Sequence, residues 1–183
     1  MRELRLVCAV LLTLATGAGD VLAQRLNGTD VRIGLDITSV LNRCDRYTIF
    51  DDVSADVRDG VVTLTGKVTH AIKSSAIEKQ VRSVSGVTEV RNQIELLPAS
   101  KFDDQIRSDV FDVIYRNRSF LKYGGLERPP IHIIVESGHV TLTGTVVSDV
   151  DRRLAQSLAL RVSARSLTNK LRTESEARAG GGR

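Results

Sequence analysis

Five residues, Val-Thr-Leu-Thr-Gly, occur twice in this chain, at 62–66 and at 140–144. The offset is 78 residues, and the match does not stop at five. VRDGVVTLTGKV (57–68) lies over VESGHVTLTGTV (135–146). Upstream, Ile33, Ile37 and Leu41 recur as Ile106, Val110 and Ile114, each trio spaced by four and so on one helical face. Downstream, Ile72, Ala76, Val81 and Val84 recur as Val150, Leu154, Ala159 and Val162. VRNQI (90–94) recurs as LTNKL (167–171), one residue earlier than the offset requires. An internal repeat constrains a fold more than any single motif, because one unit must serve both copies.

Each copy reads helix, strand, strand, helix, strand. Val53, Ala55 and Val57 alternate with polar residues, and Asp59-Gly60 then turns the chain. An Asp-Gly pair between alternating runs signals a type I′ hairpin, which needs positive φ at both central residues. Val62, Leu64, Gly66 and Val68 share a face of the return strand. The second copy repeats this with Ile131, Ile133 and Val135, a Ser137-Gly138 turn, then Val140, Leu142, Gly144 and Val146. A helix between two strands implies a right-handed crossover. The expected fold class is α+β: two tandem αββαβ modules, each a small three-stranded mixed sheet with two helices on one face. Gly66 and Gly144 are expected where helix and strand approach closely, and Gly86 at a helix C-terminal cap. The second copy inserts about five residues within SFLKYGGLERPP (119–130), a loop by its Gly and Pro pairs.

Residues 1–23 read as a secretory signal peptide: basic Arg2 and Arg5, an apolar run over 6–15, then Val21-Leu22-Ala23 before Gln24. The run is shorter than a membrane-spanning helix. The modules are expected over 30–97 and 102–173, with a disordered tail over 174–183. After residue 23 Cys44 is the one cysteine, so the fold is held by its core and not by an internal disulfide. Units of this size are marginal alone, which favours packing of the two against each other or reliance on a partner.

The hairpin glycine, GVVTLTGKV (60–68), Ala76 in the second helix and GVTEVRNQI (86–94) resemble the BON domain, a small αββαβ module of bacterial envelope proteins. The second copy resembles it through SGHVTLTGTV and, less closely, LTNKL. The resemblance implies a non-catalytic periplasmic protein that associates with phospholipid or envelope surfaces and supports envelope integrity or osmotic-stress tolerance. It carries over no catalytic residues and no cofactor.

The residues themselves advertise little chemistry. His70, His132 and His139 lack metal-ligand spacing, His132 is expected on an exposed strand face, and Cys44 is expected to be a buried small hydrophobe. Asp103 and Asp104 suit a helix N-terminus. Charge says more. The net charge is +4; the first copy has nine basic and nine acidic residues, and the second has twelve and eight, so the second carries the excess. Its candidate contact residues are Arg152, Arg153, Arg161 and Arg165 on and beyond the second helix. Leu121, Tyr123 and Leu126, flanked by Lys122 and Arg128, form a candidate apolar wedge in the inserted loop. Phe120 aligns with Tyr47 and is expected in the core. The expected partner is anionic phospholipid or an envelope protein, through peripheral membrane contact. Nucleic acid is excluded by the small net charge, the sparse aromatics and export. A protein-interaction adaptor using exposed strand edges is the second reading. A secreted enzyme is the third, and would need a polar pocket.

Overall fold

Two type I′ hairpins organise the molecule. The computed structural model describes residues 17–180, with side chains described over 28–179. The first module runs α1 (Gly17–Arg43), β1 (Asp52–Arg58), β2 (Val61–Val68), α2 (Ala71–Arg82) and β3 (Glu89–Leu96). The second begins with α3 (Lys101–Tyr115), whose insertion forms a 3-10 turn (Arg118–Phe120) and the short α4 (Leu121–Gly124). It continues through β4 (Ile131–Glu136), β5 (His139–Val146) and α5 (Asp149–Ala159). Its closing strand is broken into β6 (Ser166–Asn169) and β7 (Arg172–Thr173), and α6 (Glu174–Gly180) follows. Most of the expected signal peptide lies outside the described residues.

The sheets share one topology. β1 is antiparallel to β2 and β2 parallel to β3; β4 is antiparallel to β5, and β5 is parallel to β6 and β7. Both hairpin turns have positive φ at both central residues: 52° and 77° at Asp59-Gly60, 52° and 80° at Ser137-Gly138. Two helices pack on each sheet. Ile33, Ile37, Val62, Leu64, Val68, Ile77 and Val81 fill the first core. Ile106, Val110, Ile114, Phe120, Ile133, Val140 and Leu142 belong to the second.

Several expectations change in detail. Gly66 and Gly144 have φ of 120° and 104°, and a Cβ there would lie 2.1 Å from the Asp52 carbonyl oxygen and 1.9 Å from that of Pro130. The close approach is therefore to the chain entering the neighbouring strand, not to a helix. Gly86 (φ 93°) lies in the turn before β3, beyond Ser83, which caps α2. Ile72 and Val150 are 59% and 73% exposed; the inward face of each second helix is set instead by Ile77 and Val81, and by Ala155 and Ala159. Cys44 is buried, just past α1. Residues Glu174–Gly180, within the expected tail, form α6. Thr173 and Glu176 form a reciprocal capping box, Thr173 N–H to Glu176 at 2.8 Å and Glu176 N–H to Thr173 Oγ1 at 3.3 Å, and start α6.

Three polar devices recur in both modules. Asp30 accepts from the turn amides of Asp59 and Gly60 at 2.9 and 3.0 Å; Asp103 accepts from those of Ser137 and Gly138 at 2.8 and 2.7 Å. Each ties the start of the first helix to the hairpin tip. Asn92 donates to Ser74 and Glu78 and accepts from Ile94 N–H; Asn169 donates to the Arg152 carbonyl and Gln156 and accepts from Leu171 N–H. Each staples the closing strand to the second helix. The third device is an ion pair between the second helix and the segment before the first strand. In module one Lys73 on α2 reaches Asp51 at 2.6 Å. In module two Asp151 on α5 holds Lys122 at 2.8 Å. The charges are exchanged between the copies.

Candidate functional site

The insertion in module two is pinned, not loose. Tyr123 is 5% exposed; its hydroxyl donates to Asp151 at 2.9 Å and accepts from Val147 N–H at 2.8 Å. Lys122 joins the same carboxylate from solvent. Burial alone would raise the Asp151 carboxyl, but the bonds from Lys122, Tyr123 and Ser148 hold it below the usual carboxylate range. Asp51 in module one follows the same logic. It is fully buried, yet Lys73, Thr69 and Thr48 all donate to it and keep it low.

These placements divide the expected contact residues. Tyr123 is interior and cannot serve in a wedge, although Leu121 and Leu126 stay 59% and 50% exposed. Arg128 faces module one, where its Nη1 donates to the Cys44 and Tyr47 carbonyls, both at 3.0 Å. Arg152 is paired with Asp149 and Glu176, and Arg153 with Asp149. Arg161 and Arg165 are exposed, and among the described residues neither forms an ion pair. They follow the C-terminus of α5, whereas Lys122 and Leu121 sit at its N-terminus. Eleven residues of helix, about 16 Å, separate the two groups. The basic residues and the loop therefore do not make one surface.

The Arg161–Arg165 end has apolar company that spacing did not reveal. Phe102 is 57% exposed and Leu160 64% exposed. Phe102 and Arg165 both lie against the hairpin tip, where a Cβ on Gly138 would stand 3.3 Å from the Phe102 ring and 3.1 Å from the Arg165 stem. Phe102 is four residues before Ile106, in phase with the buried face of α3. It is exposed because the first turn of the helix overhangs the hairpin, a fact of tertiary placement. Lys101 adds a further exposed cation.

The modules meet along the open edge of β4. The Ile49 carbonyl accepts from Ile133 N–H at 2.7 Å, and His132 Nδ1 lies 2.6 Å from the Asp51 carbonyl oxygen. The His132 ring stacks obliquely on Tyr47 at 5.3 Å. His132 is thus half-buried at a junction and not on an exposed face. Lys67 and Glu136 pair across it at 2.5 Å. A cleft of about 610 Å³ lies nearby, bounded by Phe50, Phe111, Lys73 and Arg107. Its cations are committed, Lys73 to Asp51 and Arg107 to Asp104 and the Val135 carbonyl. Among the described residues no group of His, Cys, Asp or Glu is placed to hold a metal, and no helix is long and apolar enough to cross a membrane.

The repeated αββαβ unit has a counterpart among known families. The family model for the BON domain matches residues 29–98 and again 103–175. The chain belongs to the BON domain family. BON proteins are in general non-catalytic and are found at the cell envelope. No curated protein matches the sequence. Two solved structures from Chlamydia trachomatis are similar at low identity. One is the C-terminal domain of CdsD, a structural protein of the type III secretion system, at 12% identity and TM-score 0.32, covering 78% of this chain and 65% of that one. The other, also of CdsD, has 14% identity and TM-score 0.27, covering 80% and 95%. Likeness of this degree carries no inference. In both BON modules the turn-binding aspartate and the stapling asparagine hold backbone groups of the fold.

Proposed function

We propose that the chain is a non-catalytic periplasmic binding protein that associates reversibly with anionic phospholipid surfaces and supports envelope integrity under osmotic stress. The supporting observation is the end of module two, where the exposed Phe102 and Arg165 meet at the Gly138 turn and the exposed Leu160 and Arg161 precede Arg165 in the chain. Each basic residue near an anionic surface contributes about 1 kcal/mol. Three, counting Lys101, give about 3 kcal/mol, short of even millimolar affinity. Inserting Phe102 and Leu160, already half-exposed, adds about 1 to 1.5 kcal/mol each. The sum corresponds to a dissociation constant on the order of 0.1 mM, a reversible contact.

Co-sedimentation of the full chain with phosphatidylglycerol vesicles, against phosphatidylcholine vesicles, tests this at low and high salt. Anionic vesicles should bind it, with loss at high salt. R161E/R165E should abolish binding, and F102S/L160S should weaken it about tenfold or more. Equal binding to both vesicle types would remove the proposal. The second reading, a protein-interaction adaptor, is favoured by one observation: along the outer edge of β1, beyond the Val53 N–H that donates to the Tyr47 hydroxyl at 3.3 Å, Ala55 and Val57 have no hydrogen-bond partner among the described residues.

A further inference from the structure

Module two shows what closes the outer edge of such a sheet. The Ile49 carbonyl bonds to Ile133 N–H, Arg107 Nη2 donates to the Val135 carbonyl at 2.6 Å, and Ile49 and Phe50 pack against the core. Ile133 and Val135 are consequently 0% exposed. The same repeat positions in module one are Ala55 and Val57, opposite Leu64 and Val62 as Ile133 and Val135 are opposite Leu142 and Val140. Ala55 and Val57 are only half-buried. Among the described residues nothing beyond the sheet hydrogen-bonds to them.

The helix beside this edge is shaped to match. α1 carries Gly34 and Thr38 where α3 carries Arg107 and Phe111, and a Cβ on Gly34 would meet no atom within 4 Å. Val31 and Leu35, 62% and 65% exposed, stand at the positions of Asp104 and Ser108, which flank Ile49 and Phe50 in module two. The result is a groove of about 470 Å³ between α1 and β1, floored by Ile37, Leu41 and Val53. It is continuous with the module junction at Tyr47 and His132.

We propose that this groove is a docking site for an extended segment of a partner protein bearing two adjacent bulky apolar residues. The segment adds along β1 as the chain at Ile49-Phe50 adds along β4. Backbone bonds to Ala55 and Val57 supply its register, and the pocket left by Gly34 and Thr38 takes its side chains. The inference deepens the adaptor reading and does not depend on lipid binding.

The test uses the full chain and a fluorescent peptide of residues 45–52, Asp-Arg-Tyr-Thr-Ile-Phe-Asp-Asp, the segment that occupies the equivalent edge. Saturable binding is expected, with amide exchange at Ala55 and Val57 slowed about tenfold or more. The peptide with Ile49→Ser and Phe50→Ser should not bind. The chain variant G34R/T38F fills the groove as module two is filled; it should fold with wild-type circular dichroism and lose the peptide. No saturable binding to wild type, or binding unchanged by G34R/T38F, would overturn the proposal. So would protection of Ala55 and Val57 by phosphatidylglycerol vesicles in place of the peptide. Loss of vesicle binding in R161E/R165E with peptide binding intact separates this site from the lipid-facing end.

Discussion

Asp103 is 1% exposed and accepts from two turn amides, so its removal strands the buried Gly138 N–H and leaves the Ser137 N–H without its carboxylate. D103A should cost about 2 to 4 kcal/mol, read as a lower midpoint in urea unfolding. D30A removes the matching bonds at a half-exposed site and should cost about 1 kcal/mol. Asp51 makes a prediction about pH. Its carboxyl is held below the ordinary value, so the folded state binds the proton less readily than the unfolded chain. Its stabilisation is full above the ordinary carboxylate range and is lost as pH falls through that range and below. Stability measured from pH 6 down to pH 2 should decline steeply in wild type. D51N should be weaker at pH 6, because it leaves Lys73 without its buried counter-charge, and should show a shallower acid limb. At this scale sequence was a partial guide. The glycines were visible as special positions because positive φ leaves few alternatives. Which backbone oxygen crowds Gly144 was not, since that depends on how Pro130 enters β4.

Elements hold together through short polar staples as much as through apolar faces. Asn169 bridges β6 and α5 and also caps the bulge before β7. N169A should cost about 1 to 2 kcal/mol and should speed amide exchange at Leu171 before it affects β5. The capping box at Thr173 and Glu176 was legible as letters but competed with a glycine-rich end, and composition pointed to disorder. What decides is that Arg152 reaches Glu176 from α5, a contact between elements far apart in sequence. E176A should cost about 1 kcal/mol and expose the last residues to trypsin earlier than in wild type. The order of elements, both hairpins and the one-residue shift of the closing strand were readable, because they rest on periodicity and turn chemistry. The fate of the inserted loop was not. Leu121 and Tyr123 stand in the same inserted stretch, but only Tyr123 carries a hydroxyl, and its partners Asp151 and Val147, 24 or more residues away in sequence, are met only in three dimensions.

Across the whole molecule, the two modules share a junction built from Arg128, His132, Ile49 and the Lys67–Glu136 pair. Small units of this size gain from such contact. Replacing Arg128 by Ala with Ile49 by Ser should split one calorimetric transition into two, while leaving each sheet intact by hydrogen exchange. A single unchanged transition would show that the junction contributes little to cooperativity. The exchanged charges at the foot of each second helix have a further consequence. Lys73 answers Asp51 in one half and Asp151 answers Lys122 in the other, so the halves are not spare parts for each other. A crossover in the coding sequence at the shared Val-Thr-Leu-Thr-Gly would set the buried Asp51 beside the buried Asp151, or bring the half-exposed Lys122 against the buried Lys73. A nascent chain that docked the wrong helix would meet the same repulsion, so the duplication carries its own guard against shuffling.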